Sequence, residues 1–338
     1  GDIPIRVEAA EFHGRPVYFK VVMPWDKALV DDSQITQARK QASNIGNIVG
    51  VSVAVLFILG AVFISYHNVK VGRVDLNGAT KISVFCFLLQ FIGYCISADH
   101  VTSVTGEFQI LLTIVSNSVF PSVVLFLAYI AIEPFVRRWW PDLLISWNRL
   151  LAGDFRDPMI GRDILIGALL GILTSVSFYI GGFLRDYLVS KQLTITNPTN
   201  TLGGFGDTVE MILVESFAQQ LVIGVGILLF LLMFYLLFRR KWIGTLVAVL
   251  LITLLQSINL FPVRGWTYVI LQFLVATIVY FAYARFGLVA IIVSLFYASI
   301  LGLEVTFDSS RFYFANTIVL VVIGIGLALY AFYISLAG

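Results

Sequence analysis

A carboxylate and an amide, Glu215 and Gln219, stand four residues apart inside the apolar run 208–238, with Glu210 just ahead of them and Arg185 closing the preceding run. Ionisable groups are expensive in apolar surroundings, and positions four apart share a helix face. Two chemistries fit Arg185, Glu210, Glu215 and Gln219. One is an external polar pocket or ion entry site between the two runs. The other is a hydrogen-bonded network tying neighbouring helices together.

Three histidines, His13, His67 and His100, offer ring nitrogens. His67 closes the first long apolar run and His100 follows the second, which separates them by about a membrane thickness of 30 Å and keeps them from sharing a metal. Each could singly ligate a haem or a chlorophyll, or be a polar terminus and nothing more. In "GDFRDPMIGRD", Asp154, Asp157 and Asp163 could offer oxygens to a hard cation. The interleaved Arg156 and Arg162 favour ion pairs there instead, and Asp163 is placed to cap the helix that follows. No metal is expected, no cofactor is required, and bound lipids are the expected companions. Cys86 and Cys95 lie in one run; at about 100° per residue they point to opposite faces and cannot bridge.

These residues sit in a chain of 338 residues that is 59% hydrophobic and 12% charged, where a soluble domain carries about 25% charged residues. Apolar runs recur near 45–66, 79–97, 108–132, 163–189, 208–238, 243–260, 267–284, 287–303 and 313–336. Each is apolar on every face, which excludes a barrel's alternating strands. The fold class is therefore all-α integral membrane: a polytopic helical bundle of about nine spans. "ARFG" alone separates the seventh and eighth runs, so they could form one bent hairpin. Four segments follow: 1–44, 45–132, a connector at 133–162, and 163–338. Gln90, Asn117, Gln256, Asn259, Gln272 and Asn316 read as contacts between helices, and "GILTSVSFYIGG" and "GIGLALY" as small-residue packing faces.

Lysine and arginine concentrate in alternate loops: 67–81, 133–163 and 239–241. The positive-inside bias puts these loops in the cytoplasm, the N-terminus outside and the C-terminus inside. The net charge of +2 gives nucleic acid no footing, and none is expected as a partner.

The connector begins "RRWWPDLLISWNRLL". After Pro141, apolar residues at Leu143, Leu144, Trp147, Leu150 and Leu151 share one helical face, and Gly153 suits the helix end. Arg137, Arg138, Trp139, Trp140 and Trp147 suit a membrane interface. Residues 141–152 thus read as an amphipathic helix flat on the cytoplasmic membrane face, or as one packed beneath the bundle. The stretch 137–152 is expected to form a membrane-parallel helix on the cytoplasmic face that holds the first three spans against the remaining six. Before the first span, "IPIRVEAA" and "PVYFKVVM" predict a β-hairpin with its turn near Gly14, followed by a polar linker that is partly helical. With no initiator Met, the chain reads as a processed product or the end of a longer polypeptide.

"EPFVRRWWPDLLISWNRLLAGDFRDPMIGRD", "HNVKVGRVDLNGAT" and "PIRVEAAEFHGRPVYFKVVMPWDKA" resemble segments of the C-terminal membrane region of bacterial receptor-type serine/threonine protein kinases. The resemblance implies an extracytoplasmic domain ending near residue 44, then a multi-span region in the bacterial inner membrane. The kinase machinery is missing from the chain: no glycine-rich loop on a strand, no Val-Ala-Ile-Lys lysine, no His-Arg-Asp loop. Protease and hydrolase signatures are missing too. The expectation is a non-catalytic membrane domain for anchoring, sensing or assembly, in contact with other membrane subunits. The alternatives are an accessory or scaffolding subunit of a photosynthetic or respiratory complex, or a transporter.

Overall fold

The computed structural model describes residues 6–12, 15–22, 32–185, 205–258, 261–302 and 314–336. Strands β1 (Arg6–Phe12) and β2 (Arg15–Val22) pair antiparallel, Arg6 opposite Val22, with a register shift between Ala10 and Glu11. The expected turn near Gly14 falls outside the described residues. Every other element is helical: α1 Asp32–Lys70, α2 Leu76–Ser97, α3 Val104–Trp139, a 3₁₀ turn Pro141–Leu144, and α4 Ile145–Ala152. Then come α5 Pro158–Arg185, α6 Phe205–Glu210, a π-helical segment Met211–Ala218, α7 Gln219–Phe238, α8 Lys241–Ile258, α9 Phe261–Gly302 and α10 Phe314–Ser335.

This is an all-α membrane architecture. Among the described residues, 7 helical stretches are long and apolar enough to cross a bilayer, and a shorter apolar stretch covers Trp242–Leu254. The first span and the polar segment before it form one continuous helix, α1. The expected seventh and eighth spans both lie in α9, whose 42 residues would reach about 63 Å if straight, twice a membrane core. Gly287 interrupts it with φ +87, a left-handed conformation that glycine adopts without steric cost.

Proline decides how α1 meets α3. Pro134 lies inside α3 and has no N–H, so the carbonyl four residues earlier, on Ile130, loses its helical partner. In hydrocarbon such an orphan must be answered by protein. Asn68 of α1 answers it: its Nδ2 donates to Ile130 O at 3.0 Å and to Ala131 O at 3.1 Å. One turn away, the Ser65 hydroxyl donates to Leu127 O at 2.7 Å. Both side chains are buried.

Glycine sets the other main contact. A Cβ at Gly171 would lie 2.5 Å from Ser294 O, and one at Gly167 would lie 2.8 Å from Ala290 O. The backbones of α5 and the second part of α9 therefore touch, the close approach that small residues permit between membrane helices. Tyr179 at the far end of α5 donates to Leu301 O at 2.7 Å, and Tyr297 donates to Gly324 O of α10 at 2.6 Å. The expected "GIGLALY" face is looser: a Cβ at Gly326 would meet nothing within 4 Å. Gln90, expected to bond between helices, donates within α2 to Cys86 O at 3.3 Å. Both cysteines are free.

Replacing Asn68 by Leu strands the Ile130 carbonyl and should lower stability by about 1–3 kcal/mol. In a Pro134→Ala background, which restores the helical N–H, the same replacement should cost clearly less. A double-mutant cycle of unfolding in mixed micelles measures the difference; equal costs in both backgrounds would disprove the pairing.

Candidate functional site

The functional groups gather where the connector meets the bundle. The first turn of α2 starts at Asp75, whose carboxylate caps the helix by accepting from Gly78 N at 2.9 Å. A Cβ at Gly78 would come 3.1 Å from the Tyr129 hydroxyl, so α3 lies directly against this turn. Tyr129 is wholly buried, and one turn on, Glu133 is 2% exposed. The Glu133 carboxylate forms an ion pair with Arg137, four residues later on the same face, and lies beside Asp75. Helical spacing explains why Arg137, and not Arg138, is the partner. A buried carboxylate with an opposite charge beside it is tolerable; without that charge it is not.

The connector covers this node from outside. Leu143, Leu144 and Trp147 are 9%, 2% and 4% exposed, packed into the same core as Tyr129 and Val136. The Trp147 indole N–H faces the Tyr129 hydroxyl. The main chain of the connector is held too: a Cβ at Gly287 would lie 2.9 Å from Leu143 O, so only glycine lets α9 pass there. Lys81 Nζ donates to Leu151 O at 3.0 Å and joins the first loop to the end of α4.

Charges lock the connector to α5. The Ser146 hydroxyl donates to Asp163, which also accepts from Arg162 Nε and Nη2 at 3.0 and 2.9 Å. Arg149 pairs with Asp157 at 2.5 Å. The cap of α5 is Asp157, accepting from Met159 N at 2.8 Å, and not Asp163, which lies inside the helix because α5 begins at Pro158. At the C-terminal end, the Tyr330 hydroxyl donates to Phe155 O at 2.9 Å. All three basic loops thus lie at one end of the bundle, the connector end.

The interface residues expected from sequence divide. Arg137, Arg138 and Trp139 belong to α3, which continues as helix to Trp139, so 137–152 is not a single helix. Trp139 and Trp140 are half-buried against Tyr235 of α7, with ring centroids at 4.9 and 5.6 Å. Trp147 points into the protein rather than to the surface, because its face of the connector is matched by the apolar ends of α3 and α9. Arg138 is exposed. Gly153, φ +95, ends α4 as its position suggests.

The polar group in 208–238 is not a closed network. Glu210 is half-buried, while Glu215 and Gln219 face outward. The π-helical stretch breaks the α register, so Gln220 Nε2 reaches Glu215 O five residues back, at 2.9 Å. The side chain of Arg185 lies outside the described residues. His67 is exposed in the last turn of α1. His100 is exposed in the opposite turn, where its Nδ1 meets Glu107 Oε2 at 3.0 Å and Val101 N donates to Glu107 Oε1 at 2.7 Å. Among the described residues, no three acidic, histidine or cysteine side chains group as metal ligands.

Asn68, Asp75 and Tyr129 carry the junction with Gly287, yet none of those three stands out in the sequence. The one available signal was Pro134 within an apolar run, which requires a donor from elsewhere. Comparison with family models, characterised proteins and solved structures finds no match to this chain.

Replacing Trp147 by Asp should cost about 3–5 kcal/mol, since it removes a buried aromatic and inserts a charge. Arg137→Gln should cost about 1–2 kcal/mol, because it leaves Glu133 buried without its counter-charge, discounted for the exposure of Arg137. Arg138→Gln should stay within about 0.5 kcal/mol. Melting temperatures of the three purified variants give the ranking; equal effects of Arg137 and Arg138 would contradict the assignment of the ion pair.

Proposed function

We propose that the chain is a non-catalytic polytopic membrane module for anchoring, sensing or assembly, seated in a bacterial inner membrane with the connector end in the cytoplasm. The observation that carries this reading is the junction itself. There a buried carboxylate pairs with a guanidinium beside a buried phenol and indole, and Lys81, Ser146, Arg149 and Gly287 tie first loop, connector, α5 and α9 together. The three basic loops surround that junction. A soluble domain or a neighbouring subunit docking there would meet a charged platform. The positive-inside bias supports the orientation. The resemblance of 133–163 to the membrane region of receptor-type serine/threonine kinases supports the class.

A second reading is an accessory subunit of a larger membrane complex. The two-stranded sheet at the N-terminus favours it. A lone hairpin is marginal in water, and such a sheet needs a further strand, a helix or a partner surface to persist.

Cysteines introduced at positions 33 and 200 should react with an impermeant thiol reagent in intact cells, and one at position 240 only after permeabilisation. The purified chain should transfer no phosphate from ATP to itself or to a general acceptor protein. Protection of 33 and 200 with labelling of 240 would reverse the orientation, and phosphate transfer would overturn the non-catalytic reading.

A further inference from the structure

Halfway along the helices, α1, α5, α7, α8 and both parts of α9 leave a cavity of about 460 Å³. Its walls include Phe57, Phe178, Ile223, Gly226, Phe230 and Tyr280. Apolar cavities do not hold water, and one of this size is in the range of small-molecule sites. It has an open side: Phe178 and Ile223 are each 38% exposed. Gly226 keeps it hollow, since a Cβ there would have Phe57 as its nearest neighbour, at 3.9 Å.

A polar rim continues the same face of α7. Gln219 is one turn from Ile223, toward the end opposite the connector, and Glu215 is one turn beyond that. Both face outward. Among the described residues, no side chain bonds the Glu215 carboxylate or the Gln219 amide. Their depth follows from α2 alongside. A Cβ at Gly93 would lie 2.7 Å from Val214, and Cys86 Sγ lies 3.9 Å from Ala218 O. Gly93 and Cys86 precede the helix end at Ser97 by roughly 6 and 16 Å, at 1.5 Å per residue. Glu215 therefore lies near the outer end of the α2 span and Gln219 deeper along it, and an outward polar pair on an apolar helix is a functional signal.

We propose that this cleft binds a membrane-soluble amphiphile with a small hydroxyl-bearing head and a long apolar tail, the chemistry of a prenyl quinol or a long-chain alcohol. The tail fills the aromatic-walled cavity at Gly226. The hydroxyl donates to Glu215, and the Gln219 amide, donor and acceptor at once, completes the head's hydrogen bonds. A phospholipid does not fit: its phosphate would have to lose water and approach a carboxylate. A bare hydrocarbon chain would fill the cavity and leave the rim unanswered. Glu215 lies within the π-helical stretch, facing outward between Val214, packed on α2, and Ser216, bonded to Ser299 of α9; π turns recur at functional sites.

The test is ligand retention by the purified full chain, measured by native mass spectrometry after incubation with decylubiquinol, oleyl alcohol, dioleoyl phosphatidylglycerol or hexadecane. Quinol, alcohol or both should be retained in preference to the phospholipid; which of the two binds more tightly identifies the head. Glu215→Leu and Gln219→Leu should each weaken that binding about tenfold, without changing hexadecane uptake. Glu215→Leu should also leave the melting temperature unchanged or raise it, since it removes an outward charge from an apolar helix; a merely structural carboxylate would lower it. Gly226→Phe, with its melting temperature checked in parallel, should abolish retention of all tails. Binding unaffected by Glu215→Leu, Gln219→Leu and Gly226→Phe, or a preference for phosphatidylglycerol, would overturn the proposal.

Discussion

In hydrocarbon, no backbone carbonyl can be left to the solvent, and that constraint organises the packing of α1 on α3. Pro134 frees the Ile130 carbonyl, and Asn68 reaches across to take it. The partner has to be a side-chain amide or hydroxyl at one depth and one rotation of α1, so register and azimuth of the first helix follow from a missing N–H about one and a half turns from the end of the third. Ser65 repeats the device a turn away. Neither bond is strong in isolation, but the alternative, an unsatisfied carbonyl in lipid, is several times more costly than the bond is worth. What proline weakens in α3 becomes the specificity of the contact.

The same constraint extends into the connector. With α1 set, the loop after it delivers Asp75 to the carboxylate of Glu133, and α3 ends with Arg137 over that carboxylate. The chain then folds back under the bundle, and Leu143, Leu144 and Trp147 close the apolar part of the junction. Gly287 completes it from the other side by letting the α9 backbone come up against Leu143. The apolar side chains cover the Glu133 end of the ion pair, which is 2% exposed, while the Arg137 end stays at the surface, 64% exposed. Opposite in character is the middle of the bundle, where Gly226 leaves space and the outward polar pair above it has no such cover.

Much of this was legible in residues and spacing. Apolar runs of membrane length, basic residues in alternate loops, the amphipathic face after Pro141 and the stop at Gly153 are local properties. Helix periodicity and the cost of burying charge are enough to read them. The break in α9 near "ARFG" was equally local, because glycine beside a short polar stretch marks where a long helix can turn. Partner choice was not legible. That Asp157 and not Asp163 caps α5 depends on where Pro158 starts the helix, and that Asp163 instead meets Ser146 depends on how the connector lies across it. The sidedness of Trp147 was open because an amphipathic face looks the same whether it meets lipid or protein; both are apolar.

Composition and periodicity, acting over a few residues, determined that this is a helical membrane protein, where many of its helices run and which loops share a charge. Only the tertiary structure decided which carbonyl Asn68 answers, which arginine Glu133 keeps, and that Glu215 and Gln219 look outward above a cavity instead of inward at each other. Those outcomes rest on the relative rotation and depth of separate helices. Rotation and depth come from glycine contacts, a proline's missing donor and a π-helical turn, acting between segments tens to hundreds of residues apart.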